Sequence, residues 1–231
     1  MQNIISLVDL AMPQSCAGCG ARLDLVNSRS TQVCLRCAIA LQSHPHHVHL
    51  KGIGQSEFPI MATALYEGST RNILLAAKER NQVALIPIIA KAGLIAITSL
   101  LTRSDPSVPL ALVPVPSMPR NLRSRGYNLV EQMADLIASH LRMRFDDVRV
   151  IPILRHNRRV DDQSRLTAIQ RALNLGGALT AVDAFLPAME DRQVIILDDL
   201  VTTGSTLLEA RRSLLKTGLN LQGAACAMSR Y

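Results

Sequence analysis

A strand-like run of apolar residues ends in two adjacent carboxylates and then in a loop rich in hydroxyl groups. Residues 194–207 read VIILDDLVTTGSTL, so Asp198 and Asp199 directly follow four apolar residues. The loop consists of Thr202, Thr203, Gly204, Ser205 and Thr206. Hydroxyls and backbone N–H groups at the start of a helix bind phosphate, whereas carboxylates accept hydrogen bonds from hydroxyls or hold Mg²⁺. A ribose 5-phosphate would satisfy both halves of this motif.

Other nucleotide-binding motifs do not fit this stretch. The chain has no GxxxxGK(S/T) sequence, and GSTLL is not GxGxxG, which argues against a P-loop or a dinucleotide-binding fingerprint. The bland interpretation is a strand–turn–helix junction with a Ser or Thr cap. A cap needs only one hydroxyl, whereas this loop has four hydroxyls, a glycine and two preceding acids. We therefore favour the anion site.

Four of the five cysteines form two CxxC pairs near the amino terminus. The pairs are Cys16 with Cys19 and Cys34 with Cys37, while Cys226 stands apart in an apolar segment. Two such pairs can supply the four thiolates of a tetrahedral zinc site, and four thiolates leave no open position for catalysis. A pair of disulfides is the alternative, but nothing indicates an oxidising compartment. The spacing predicts one structural Zn²⁺.

A histidine-rich segment separates this module from the rest of the chain. HPHHVH, residues 44–49, could bind metal, but Pro45 stiffens it and it follows a complete cysteine site. We interpret it as a solvated connector. The predicted domains are therefore residues 1–50, the zinc module with its linker, and residues 51–231.

The larger domain alternates helical and strand patterns. Helical spacing of apolar residues covers 69–80, 128–144, 165–175 and 205–218, and strand-like runs cover 110–116, 148–154, 192–199 and 221–228. Such alternation predicts an α/β fold, a parallel sheet flanked by helices. Ligands bind at the carboxyl ends of strands in these sheets, which is where the acidic pair stands.

Charge and hydropathy narrow the functional classes. The formal net charge is +7, and residues 120–171 hold eleven Arg against six acidic residues, which indicates a local anion-binding surface. The apolar run at 84–101 has Lys91 near its centre, which disfavours a membrane span. No Lys or Arg precedes Arg22, so no export signal is expected. We expect a cytoplasmic protein without a membrane span.

At this point the sequence resembles a known family. VIILDDLVTTGST is similar to the phosphoribosyl pyrophosphate (PRPP) signature of type I phosphoribosyltransferases. Together with the CxxC pairs, the whole chain resembles the ComF family, which joins a four-cysteine zinc module to such a domain. YEGSTRNILLAAKER matches the family at Tyr66, Arg71 and Lys78, and VPVPSMPRNLRSRGYN matches its Arg-rich loop. Further matches are Gln163, Leu166, Arg171 and Asn174, and departures are Leu129 and Leu179.

The resemblance implies a type I phosphoribosyltransferase-like fold with a small zinc-ribbon-like module, and it implies roles for individual residues. Asp198 and Asp199 would contact the ribose 2′ and 3′ hydroxyls, and residues 202–206 would hold the 5-phosphate. Pyrophosphate with Mg²⁺ would lie near Arg123 and Arg125, and Arg158 and Arg159 would belong to an active-site flap.

The resemblance leaves three functional classes open. The chain could be a PRPP-dependent transferase, a DNA-uptake factor of natural transformation that binds single-stranded DNA, or a PRPP-binding regulator without turnover. No residue identifies an acceptor substrate. A DNA-uptake helicase is the partner that the second class implies. Six Phe and Tyr residues are few for base stacking, so DNA binding would be largely electrostatic.

Overall fold

A parallel sheet forms the centre of the molecule. The computed structural model describes residues 15–23, 32–50, 58–157 and 177–231. The strands in this part of the chain are β1 His46–His47, β2 Ile60–Leu65, β3 Leu110–Pro114, β4 Val148–Val150, β5 Leu154–His156, β6 Leu179–Ala181, β7 Gln193–Val201 and β8 Leu221–Ser229. Six of them pair in the order β1-β2-β8-β7-β3-β4, and only the β1–β2 pair is antiparallel. The predicted α/β class is confirmed.

Helices cover both faces of the sheet. They are α1 Leu35–Leu41, α2 Gly68–Glu79, α3 Ile86–Leu100, α4 Pro119–Arg125, α5 Leu129–Leu141 and α6 Ser205–Leu215, with 3₁₀ turns at Val83–Leu85, Leu101–Arg103 and Asp183–Met189. Ile195 and Leu197 of β7 pack in one apolar cluster with α2, α3 and α5. Val194 and Ile196 pack on the opposite face with α6. Because both faces are covered, the central strands are apolar without alternation.

The histidine-rich segment lies along the sheet and is not the solvated connector that we predicted. His46 and His47 form β1 and pair with Ala62 and Met61 at the edge of the sheet. Val48 is buried in the core, and its N–H donates to the Ile60 carbonyl at 2.8 Å. Burial of this apolar residue fixes the segment against the larger domain.

One predicted strand is divided between two sheets. The run 148–154 was expected to be continuous, but β4 ends at Val150 and β5 begins at Leu154. Pro152 lies between them and cannot donate a ladder hydrogen bond. β5 pairs instead with β6 in a separate antiparallel sheet. Residues 158–176, which include the helix predicted at 165–175, lie outside the described residues.

The long apolar helical stretch packs inside the domain. Among the described residues, Val83–Arg103 is long and apolar enough to cross a membrane, and half of its most apolar window is buried. Ile89, Ala92, Ala96 and Ile97 of α3 are fully buried in the cluster shared with α5 and the sheet. This is the packing of a core helix, so its apolar composition is weak support for a membrane span.

Candidate functional site

The four amino-terminal cysteines converge on one point. Their sulfur atoms all lie within 4.8 Å of one another, and Cys19 Sγ lies 3.8 Å from Cys34 Sγ. A tetrahedral Zn²⁺ with Zn–S bonds of about 2.3 Å separates its sulfur ligands by about 3.8 Å. The cysteines are free thiols in the structure, not disulfides. The donor set and its spacing therefore fit a closed, structural zinc site, as the sequence predicted.

Backbone N–H groups prepare one of these thiols for metal binding. Burial opposes ionisation of Cys16, but N–H donors of Cys19, Cys34 and Gly18 lower the pKa of its thiol to about 6. The Cys34 N–H lies 3.2 Å from Cys16 Sγ. Burial and the neighbouring thiols raise the pKa of Cys37. A bound cation would reverse that effect, because it stabilises thiolates directly.

The acidic pair lies at the carboxyl end of β7, as predicted from the sequence. The strand continues through both residues to Val201, so the two side chains leave it in different directions. Asp199 is buried and forms an ion pair with Lys78 of α2, whose Nζ lies 2.7 Å from both carboxylate oxygens. Asp198 accepts the Asp199 N–H at 2.8 Å through its Oδ1 atom. The two acids therefore have different partners.

The surroundings of Asp198 move its titration towards neutral pH. Burial, and then the adjacent Asp199 carboxylate, raise the pKa of Asp198 to about 7, although Lys78 acts in the opposite direction. Lys78 compensates the charge of Asp199 directly. Near pH 7 the pair thus contains one salt-bridged carboxylate and one carboxyl that can gain or lose a proton.

The hydroxyl-rich loop joins β7 to the amino terminus of α6. Thr203 Oγ1 lies 2.9 Å from Ser205 Oγ, so the two hydroxyls share one hydrogen bond. Gly204 caps the helix in the left-handed region with φ of 76°. Helix geometry leaves the first N–H groups of α6 without intrahelical acceptors, which is the arrangement that binds anions. The loop therefore has the donors that a phosphate requires, next to the two carboxylates.

The two arginines predicted to bind pyrophosphate have different surroundings. Arg123 is exposed on α4, which follows β3, the strand beside β7. Arg125 instead donates from Nε to the Lys78 carbonyl at 2.7 Å and from Nη2 to Glu79 at 3.3 Å. Tyr127 also donates to a carbonyl of α2, that of Ala77. The loop after β3 is thus attached to the helix that carries Lys78.

The predicted flap residues, Arg158 and Arg159, lie outside the described residues.

Lys78 was not among our predicted site residues, although it belongs to a stretch that matches the family. Its contact with Asp199 joins residues 121 positions apart, and no local pattern in the sequence reports such a pairing. Charge alone could have suggested it, because a buried carboxylate requires a partner.

Leu50 is a second residue that the sequence did not identify. A Cβ atom built on Gly204 would lie 2.1 Å from one Leu50 methyl and 2.5 Å from the other. The leucine therefore packs directly on the glycine of the hydroxyl-rich loop. Gly204 is required there both for its positive φ and for this contact.

One relative among known proteins supports the predicted family. No family model matches the chain. Competence protein F of Haemophilus influenzae is 26% identical over 205 residues, which cover 88% of this chain and 85% of that protein. The four-cysteine cluster agrees with the same relationship. The chain is thus a homologue of Competence protein F over most of its length, which supports the ComF family predicted from its sequence.

Proposed function

We propose that this chain binds PRPP together with Mg²⁺ at the carboxyl end of β7, and that it transfers or holds the phosphoribosyl group there. The observation that carries this proposal is the position of Asp198 and Asp199 near the carboxyl end of β7, one short loop before the amino terminus of α6. A ligand bound at this point would meet carboxylates and phosphate donors within one strand–helix turn.

The proposed contacts follow from charge. The ribose hydroxyls would donate to Asp198 and Asp199, and the 5-phosphate would accept from the loop at residues 202–206. Mg²⁺ prefers oxygen ligands and is commonly shared between carboxylates and ligand phosphates, so the acidic pair and pyrophosphate fit it. Arg123 could add positive charge near the pyrophosphate, because it is exposed on α4, which follows β3.

Transfer would use the same charges. As pyrophosphate leaves the C1 atom of PRPP, positive charge develops on the ribose and negative charge on the leaving group. The carboxylates of Asp198 and Asp199 would stabilise the first, and Arg123, with a bound Mg²⁺ to supply further positive charge, would stabilise the second. Lys78 holds Asp199 by an ion pair, which orients that carboxylate before a ligand arrives.

A second candidate function is the handling of single-stranded DNA, with a DNA-uptake helicase as partner. The name of the Haemophilus influenzae relative refers to competence. The concentration of arginine at residues 120–171, with Arg123 exposed beside the candidate site, favours contacts with a phosphate backbone. Both functions suit a reducing cytoplasm, which keeps the four thiols available for zinc.

Isothermal titration with PRPP and Mg²⁺ tests the first function. PRPP should bind more tightly than ribose 5-phosphate or pyrophosphate alone, because each of these fills only half of the site. Asp198→Asn should weaken binding, whereas Asp135→Asn removes an exposed carboxylate on α5 and should not. Equal affinity for all three ligands would contradict the proposal. Release of pyrophosphate with a panel of nucleobases and amines then separates transfer from binding.

A further inference from the structure

The segment of residues 43–50 contacts the sheet and core at several points between the zinc module and the hydroxyl-rich loop. Ser43 Oγ donates to the Thr63 carbonyl at 2.6 Å. His46 Nε2 lies 2.7 Å from Ser229 Oγ, at the carboxyl end of β8. Val48 is buried in the core on the α6 face. These contacts leave the segment little freedom to move independently of the domain.

The last residue of the segment, Leu50, packs on Gly204, the glycine that caps α6. Leu50 packs against the apolar cluster that contains Val201 and Leu207, the residues on either side of the hydroxyl-rich loop. Its methyl groups lie where a side chain at position 204 would stand. Any displacement of Leu50 therefore opens space directly behind the proposed phosphate donors.

The other end of the segment follows helix α1, which carries part of the cysteine cluster. α1 begins directly after Cys34, contains Cys37, and ends at the fully buried Leu41, two residues before the segment starts. Gly18 packs between Cys37 Sγ and Ser69 of α2, and its carbonyl accepts from Asn72 Nδ2 at 2.8 Å. The buried residues described in this module, Cys16, Leu23, Val33, Cys37 and Leu41, join the apolar cluster of the larger domain. Zinc would add a cross-link between the two knuckles and α1.

We propose that residues 43–50 couple the zinc site to the phosphate-binding loop, with Leu50 as the residue that positions Gly204. This inference rests on the proposed function, because it assigns the loop at 202–206 to phosphate binding. Zinc orders the module, the module anchors the segment, and the segment supports the loop. Two sites linked in this way must influence one another equally, since binding free energies are reciprocal.

Two titrations test the coupling on the full chain. Removal of zinc with a zinc-selective chelator should weaken PRPP–Mg²⁺ binding by about 5-fold or more, the lower end of common coupling factors. Conversely, saturating PRPP–Mg²⁺ should raise the zinc affinity by the same factor, measured by equilibrium competition with a chromophoric chelator. PRPP itself binds metals and could compete for zinc. The same titration with Leu50→Ala protein measures this competition and serves as the reference.

Leu50 variants separate positioning from a general loss of structure. Leu50→Ala should keep one zinc and the wild-type fold, measured by circular dichroism, yet weaken PRPP–Mg²⁺ binding about 5-fold or more. Removing zinc from this variant should then weaken PRPP–Mg²⁺ binding little further. Leu50→Met retains the volume and should restore binding to within about twofold. Tighter binding by Leu50→Ala would overturn the proposal, because Leu50 would then cover the site. The proposal would also be overturned if the wild type binds PRPP with an affinity that does not change when zinc is removed. If the wild type does not bind PRPP, the proposed function fails first.

Discussion

Lys78 Nζ lies 2.7 Å from both carboxylate oxygens of Asp199, and this ion pair joins helix α2 to the end of the central strand β7. The side chain of Asp199 is 6% exposed and that of Lys78 is 22% exposed, so the carboxylate depends on the lysine for compensation. Arg125 donates to the carbonyl of Lys78, which links the loop after β3 to the same pair. The acidic motif is therefore supported by two parts of the chain that are distant in sequence.

The first prediction concerns this ion pair. Lys78→Met should lower the free energy of unfolding by about 2 kcal/mol at pH 7, because a buried carboxylate loses a charged hydrogen-bond donor. Lys91→Met is the matched control, since Lys91 is exposed on α3 and should cost little. Urea denaturation of both variants measures the difference. The double variant Lys78→Met with Asp199→Asn should recover part of the lost free energy of unfolding, because the uncompensated carboxylate charge is then removed.

Zinc stoichiometry provides the second prediction. The chain should contain one Zn²⁺, and Cys19→Ser should reduce the content to well under half an equivalent while the larger domain stays folded. Cys226→Ala is the control, because Cys226 is buried in the central strand β8 and is not part of the cluster. Elemental analysis of protein purified without chelators measures the content. A full equivalent of zinc in Cys19→Ser protein would place the metal elsewhere.

The hydroxyl-rich loop gives the third prediction. Thr203→Ala combined with Ser205→Ala removes the two hydroxyls that lie 2.9 Å apart, and should remove most of the thermal stabilisation by PRPP–Mg²⁺. Thr98→Ala combined with Ser99→Ala removes the same two groups near the end of α3 and should leave the stabilisation intact. Differential scanning fluorimetry at several PRPP concentrations makes the comparison. An equal shift in both double variants would place PRPP outside this loop.

The fourth prediction follows from the raised pKa of Asp198. The folded protein keeps this carboxyl protonated up to a pKa of about 7, whereas an unfolded Asp ionises near its ordinary value of 3.8. The unfolded state then binds fewer protons, so this group lowers the free energy of unfolding as pH rises from about 4 to 7. Asp198→Asn should therefore be more stable than wild type at pH 8, and the difference should shrink towards pH 4.

Ligand binding should reverse the preference of Asp198 for its proton. Mg²⁺ and ribose hydroxyls both favour the ionised carboxylate, so PRPP–Mg²⁺ should bind more tightly at pH 8 than at pH 6 and release a proton near neutrality. Titration calorimetry in two buffers with different ionisation enthalpies measures the released proton. A pH-independent affinity would mean that Asp198 does not contact the ligand.

The parts of the fold that depend on local patterns were predictable from the sequence. The apolar run before Asp198 indicated a buried strand, and the two CxxC pairs indicated a compact metal cluster. In contrast, the partner of Asp199 and the contact of Leu50 with Gly204 join distant segments, which periodicity and spacing do not report. The histidine-rich segment was misinterpreted because most of its residues are polar. Its position depends on one apolar residue, Val48, which is buried.

The two arginines of α4 give the last prediction, because the structure separates what the sequence treated as a pair. Arg123 is exposed, whereas the side chain of Arg125 is 11% exposed and braces α2 through Lys78 and Glu79. Arg123→Ala should therefore leave the free energy of unfolding unchanged but weaken binding of both PRPP–Mg²⁺ and single-stranded DNA. It should also flatten the salt dependence of DNA binding, since one phosphate contact is lost.

Arg125→Ala should act in the opposite way. Loss of its hydrogen bond to the Lys78 carbonyl should cost about 1–2 kcal/mol of stability, and any effect on binding should arise through displacement of Lys78.

Asp199→Asn completes the comparison. This change should reduce transferase activity by about 10²-fold or more, because a carboxylate that stabilises the charged transition state is lost. The same change should not weaken DNA binding, because it removes a negative charge that repels the phosphate backbone. Chemical denaturation, PRPP calorimetry and DNA anisotropy across a salt series distinguish these variants. If Arg123→Ala alters neither PRPP nor DNA binding, the two ligands do not share the surface beside β3.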